Sequence, residues 1–293
     1  ITNYIFEKTD GNPFFIEQIL INIIDKKLLK RKGDILNYDI SEIEQISISK
    51  NFDAVMEKEF AKHNSKEKSI LKIASTFGES IPINWLERIL KYSESETIRM
   101  LDGYTLKRIF NITEDNKLYF LHRLTKTGVN NLIDDKEKLL IHKKILRFLE
   151  TLEQSHYILQ LKAHHAFFAK SKKAKDYLVN LLDQSIKCSD EDFIIKSFER
   201  LKALDKVDYI FEFNKQILDK VGDVYYYKGK FNEALSVYNI ILDKVKIQNE
   251  KIGVLRRIAM TYIALSDYEK AENIFDNLLK GELKTENRFN VLI

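Results

Sequence analysis

Proline is almost missing from this chain: two residues in 293, beside nine glycines, one tryptophan and a single cysteine. So little proline and glycine excludes a turn-rich all-β fold and points to long helices. A lone Cys188 cannot form an internal disulfide, which suits a reducing cytoplasm, where the protein is expected. Long apolar runs are lacking too. No stretch reaches the roughly 18 residues that a membrane span requires. The first apolar run is broken by Glu17, Gln18 and Asn22, which excludes a signal peptide there. Nor does one sign of charge dominate. The 48 basic residues stand against 44 acidic ones, a net of +4, whereas a nucleic-acid binder carries a concentrated basic face. The remaining composition, 44% hydrophobic and 31% charged, is that of a soluble globular protein too long for one ordinary core.

One of the two prolines stands in TDGNPFFIEQIL, near the start. Residues 14–31 place Phe15, Ile19 and Ile23, and again Ile16, Leu20 and Ile24, at the spacing of one helical face. Asn12 is a good N-cap, and Pro13 falls at the first helical position, where a missing N–H is harmless. Gly33 follows the basic end KRK, so the spacing predicts one helix over 14–31. A polar stretch, 34–50, then reads as a linker. From Lys66 the pattern is helix (SILKIAS), helix (INWLERILK) and helix (ETIRMLDG). Two short β-type runs follow, 108–112 and 117–121, around a Thr-Glu-Asp-Asn turn. Three helices and a hairpin are the layout of a winged helix. Helical periodicity then resumes to the end of the chain.

The last part repeats itself. VGDVYYYKGKFNEALSVYNIIL aligns with RIAMTYIALSDYEKAENIFDNLL, pairing Gly222 with Ala259, Tyr225 with Tyr262, Phe231 with Tyr268, Ala234 with Ala271 and Tyr238 with Phe275. Each unit resembles a tetratricopeptide repeat: a small residue and a tyrosine on the first helix, then an aromatic and an alanine on the second. The offset of 37 slightly exceeds the usual period of about 34. Gly229 fits the turn of the first unit, and Ser266 replaces it in the second. No such hairpin buries its face alone, so both units need neighbours. Residues 193–218 are read as a degenerate earlier repeat, and TENRFNVLI as the opening of a third one.

The order of these parts resembles the C-terminal part of a STAND-type signalling ATPase, a relative of the AAA proteins. In that family a GxP motif opens a helix of the lid subdomain, and its proline packs on the adenine of bound nucleotide. The resemblance therefore implies that Gly11, Asn12 and Pro13 line the adenine side of a pocket. The family's winged helix carries a methionine-histidine-aspartate-like motif whose histidine reaches the β-phosphate of ADP. Here the stretch is LYFLHRL, so His122 matches and Arg123 stands in place of the acid. The chain contains no GxxxxGK[ST] loop to cradle phosphates and no strand ending in an acidic pair to hold magnesium. ATP or ADP with Mg is thus expected only for a full-length protein with an upstream ATPase core. No cofactor and no catalytic residue are expected for this chain alone. Because it begins at Ile1, we read it as a piece of a longer protein.

Blander readings stand beside these. Gly11-Asn12-Pro13 also makes an ordinary helix start, and His122 an ordinary half-buried histidine. His142, His156, His164 and His165 show no metal-ligand spacing, and Cys188 reads as a small packed residue. A DNA-binding role is disfavoured. Residues 66–135 hold 11 basic against 10 acidic residues, and the helix that would enter the groove carries Glu94, Glu96 and Asp102 against Arg99 alone. In the first repeat Tyr225 falls on a core position. Tyr226 and Tyr227, with Asp219 and Asp223, fall where side chains line the concave groove, and could grip a basic peptide. Packing against the neighbouring repeat is the other role open to one of these two tyrosines.

The expected architecture is mainly α, with a small β-hairpin and an α-solenoid of tetratricopeptide-like hairpins. The expected divisions are a lid helix remnant (1–33), a linker and connecting helix (34–63), a winged-helix domain (64–135), a helical connector (136–205) and tetratricopeptide repeats (206–293). The favoured function is regulatory, coupling nucleotide state to a protein or small ligand held by the repeats. The alternatives are a passive interaction scaffold and, third, a DNA-binding regulator.

Overall fold

In the computed structural model α1 (Thr2–Thr9) and α2 (Pro13–Asp25) are joined through Gly11 in the left-handed region, φ 73°. A β-carbon there would lie 3.1 Å from Phe6 Cε2, so glycine meets both the backbone and the space requirement. Pro13 opens α2 as its first residue, as expected. The structure describes residues 2–9, 11, 13–32, 35–44, 52–103, 106, 108–204 and 215–280. The expected cap Asn12, the stretch 205–214 of the degenerate repeat and TENRFNVLI lie outside them. The chain forms two compact units, Ile1–Phe148 and Leu149–Ile293.

In the first unit α2 does not run to residue 31. Lys27 adopts φ 55°, its N–H bonds the Ile24 carbonyl at 2.9 Å, and Leu28 N–H bonds the Ile23 carbonyl at 3.0 Å. This six-to-one closure ends the helix. Leu28 and Leu29 then pack on a small core of Ile5, Ile19, Ile23 and Ile43. Beyond it, β1 (Leu29–Lys32) pairs antiparallel with β2 (Ile35–Tyr38). Lys and Arg propensity favoured a continued helix, and burial of the two leucines overrides it. The stretch expected as a polar linker thus holds β2 and α3 (Ile40–Glu44), which Asp39 starts by accepting Ser41 N–H at 2.9 Å.

After α4 (Phe52–Ala61), α5 (Ser65–Phe77) begins with a full capping box between Asn64 and Glu67. Then follow β3 (Ser80–Pro82), α6 (Ile83–Leu90), α7 (Glu94–Leu101), β4 (Phe110–Ile112), β5 (Lys117–Phe120) and α8 (Arg123–Asn131). The expected three helices and hairpin are present. The sheet has a third strand, in the order β3-β5-β4, all antiparallel, with Ile81 opposite Leu118. Three residues ending in proline give no alternation to read, so β3 is invisible to periodicity. Phe77, Ile81, Leu86, Leu106 and Leu118 fill the core, and Trp85 stands 6.0 Å from Phe77 and 5.7 Å from Phe148 on α9 (Asp135–Leu149).

The second unit is a stack of helices: α10 (His156–Phe168), α11 (Ala174–Cys188), α12 (Glu191–Ala203), α13 (Lys215–Tyr227), α14 (Phe231–Lys244), α15 (Gln248–Ala264) and α16 (Tyr268–Lys280). Four of them end alike. Lys170, Ser189, Gly229 and Ser266 take φ of 50°, 57°, 71° and 61°, and the next residue's N–H reaches five residues back at 2.8–2.9 Å. Gly229 and Ser266 were the expected turn pair. The aligned residues occupy matching places, with Phe231 and Tyr268 each opening a second helix. One hydrophobic cluster runs from Leu159 through Leu178, Ile194 and Leu201 to Tyr238 and Ile258, so the expected connector is continuous with the repeats. Cys188, expected to be packed, is exposed at the end of α11, one residue before the left-handed turn.

A β-carbon on Gly222 would fall 2.4 Å from Cε1 of buried Tyr238, whereas one on Gly253 meets nothing within 4 Å. Gly222→Ala is therefore expected to lose about 1–3 kcal/mol through overpacking. Gly253→Ala, in the interior of α15, is expected to gain roughly 0.5–1 kcal/mol. Urea unfolding of the two variants checks both signs.

Candidate functional site

The nucleotide candidates come from opposite ends of the first unit. His122 follows β5 and occupies the N-cap position of α8 with extended backbone, φ −124°, and its side chain makes no cap hydrogen bond. The ring turns instead to α2, where Nε2 lies 2.7 Å from Glu17 Oε2. Glu17 sits four residues after Pro13, on the same helical face. The structure therefore brings His122 to the helix that Gly11 and Pro13 open. The pair is 43% and 40% exposed, and Leu20, Ile24, Leu121 and Leu124 are exposed apolar residues on the same two segments. Sequence reasoning missed Glu17, which lies in an amphipathic helix where a lone carboxylate reads as solvated surface.

A second candidate lies between α13 and α15: a groove of about 610 Å³. All four predicted partner-binding residues, Asp219, Asp223, Tyr226 and Tyr227, line it, with Glu250, Arg257 and Met260 among the others. The carboxylates are already engaged. Arg257 Nη1 donates to Asp219 Oδ1 at 2.7 Å, and its Nε lies 3.5 Å from Asp223 Oδ1. Tyr238 donates its hydroxyl to the same Asp223 oxygen at 3.0 Å. Lys215 bridges to Glu250 at 3.0 Å. Burial, and then the Asp223 charge, push the Tyr238 phenol well above its ordinary range, so it stays a donor. The groove thus carries its own cations beside the carboxylates. The two tyrosines divide. Tyr226 is half-buried against Phe231, ring centroids 5.5 Å apart, while Tyr227 is 80% exposed. Arg257 was missed because its meaning depends on pairing across repeats, which the two aligned helices reveal only when stacked.

The acidic character of α7 persists in three dimensions. Glu96 pairs with Lys66, whose ammonium holds the carboxyl below its usual range.

No protein-family model and no curated protein matches the sequence. Among solved structures, the chain is similar to a signal transduction ATPase with numerous domains (STAND) protein with a tetratricopeptide repeat sensor, from Pyrococcus horikoshii. The likeness covers 94% of this chain at 18% identity and a TM-score of 0.41, and the chain spans 39% of that protein's length.

Asp219 is 19% and Arg257 39% exposed, intermediate between a surface and a buried pair. A double-mutant cycle with Asp219→Asn and Arg257→Gln is expected to give a coupling of about 1–2 kcal/mol, above that of most exposed pairs. Denaturant unfolding of the four proteins measures it; strict additivity would mean the contact is not formed.

Proposed function

We propose that this chain is a regulatory segment of a STAND-type signalling ATPase that couples adenine-nucleotide state to a protein or small ligand held by the helical repeats. The observation that carries the reading is the Glu17–His122 contact, which joins the Gly11–Pro13 helix start to the histidine after β5. Helices α5 to α7 with strands β3 to β5 support reading this part as a winged helix, and α2 as the lid element that meets it. Pro13 contacts adenine and His122 contacts phosphate. Glu17 sets the threshold: its carboxylate occupies the ring nitrogen that a phosphate would need, and its charge repels the ligand. An exposed pair of this kind is worth roughly 0–1 kcal/mol, so a phosphate can displace it. Nucleotide binding then exchanges Glu17 for phosphate at His122 and frees α2 from α8. The groove beside Arg257 is the partner site, and linkage requires each ligand to alter the other's affinity by the same factor.

Titration of the full-length protein with a fluorescent ADP analogue tests this reading. Glu17→Gln is expected to tighten ADP binding several-fold, and Pro13→Ala with His122→Ala to weaken it by tenfold or more, about 1.4 kcal/mol. Unchanged affinity in the double variant would leave a passive interaction scaffold as the function.

A further inference from the structure

Arg200, on α12, is the centre of a second polar cluster. Burial lowers its guanidinium from the ordinary range, yet none of its described contacts is an anion. Nη2 lies 2.9 Å from His164 Nδ1 on α10, and its Cζ is 5.4 Å from the ring centroids of both Phe167 and Phe168. An arginine can only donate, so Nδ1 accepts, and the His164 ring proton is assigned to Nε2. Nη2 is thus engaged and both rings lie to one side of the guanidinium, while among the described residues Nη1 and Nε have no hydrogen-bond partner and can meet a planar acceptor.

Lys196 precedes Arg200 by one helical turn and shares its face. Its ammonium stands over the Phe193 ring at 5.5 Å, and burial together with the Arg200 charge lowers it. Two cations four residues apart repel, and α12 has acids that could relieve them. Those acids face elsewhere: Glu191 and Asp192 bind Lys228, and Glu199 accepts the Tyr225 hydroxyl. Among the described residues no carboxylate lies within ion-pair distance of Arg200 or Lys196. Arg257, by contrast, has Asp219, and Lys72 has Glu137.

We infer that the face between α10 and α12 is a binding site for a phosphate-type oxyanion, held by the open edge of Arg200 and by Lys196. A dianion matches two neighbouring cations, and charge-assisted bonds to guanidinium and ammonium are the strong class of hydrogen bond. The exposed ring of Phe168 gives an organic phosphate an apolar surface beside the charges. This site is separate from the nucleotide reading and stands without it.

Calorimetric titration of this chain with inorganic phosphate, and in parallel with a phosphate monoester, tests the site at constant ionic strength. Saturable binding of one or both is expected, and the tighter of the two identifies the source. Lys196→Gln, at an exposed position, is expected to weaken binding about tenfold, the loss of one charge-assisted contact. Arg200→Lys, which keeps the charge but not the fork, is expected to weaken it further. Lys202→Gln removes the same charge from another face of α12 and is expected to change nothing. The proposal is overturned if neither anion binds saturably, or if Lys202→Gln weakens binding as much as Lys196→Gln.

Discussion

The solenoid depends on where each helix stops. At Lys170, Ser189, Gly229 and Ser266 the backbone enters the left-handed region for a single residue, and the following N–H closes on the carbonyl five residues back. That closure satisfies carbonyls which would otherwise end in nothing, and it turns the chain so that the next helix packs antiparallel. Left-handed backbone is unfavourable for lysine and serine, so three of the four positions are held by the packing that follows them. Hairpins closed in this way share one apolar cluster, and none could bury its own face alone.

From that geometry the groove chemistry follows by a chain of requirements. Absence of a side chain at Gly222 lets α14 approach until the Tyr238 ring fills the space. A buried tyrosine brings a hydroxyl that needs a partner, and Asp223 accepts it. A carboxylate drawn into such a site needs a cation, and Arg257 supplies it from the next repeat. The polar lining of the groove is therefore an extension of core packing. Tyr227, standing free of that core, is the lining residue with the most surface left for a partner.

How much of this was legible from residues alone depended on whether the signal was local. Gly229 and Ser266 could be matched because turn chemistry repeats with the helices, and Tyr225 could be placed in the core by its register. The start of α2 at Pro13 was equally local. The end of α2 was not: KRK reads as the basic last turn of a helix, and only the pull of Leu28 and Leu29 onto Ile23 turns it into a strand. Strand β3 is too short to show alternation. Glu17 with His122, Asp219 with Arg257 and Arg200 with His164 are contacts across stacked elements, and sequence spacing carries no record of which faces meet.

Those three contacts differ in a way that assigns them different work. Glu17 and His122 are both about two-fifths exposed, so solvent screens their attraction. Asp219 is four-fifths buried and shares Arg257 with Asp223, so separating them would strand a carboxylate in a poorly solvated place. The first contact is loosely held, whereas the second is fixed by what surrounds it. Arg200 belongs to neither kind. Its described partners, an imidazole nitrogen that accepts from it and two phenyl rings, fix its position without a carboxylate to cancel its charge. A charge held in place and left uncancelled is a preorganised receptor for an anion, because most of the ordering entropy has been met in folding.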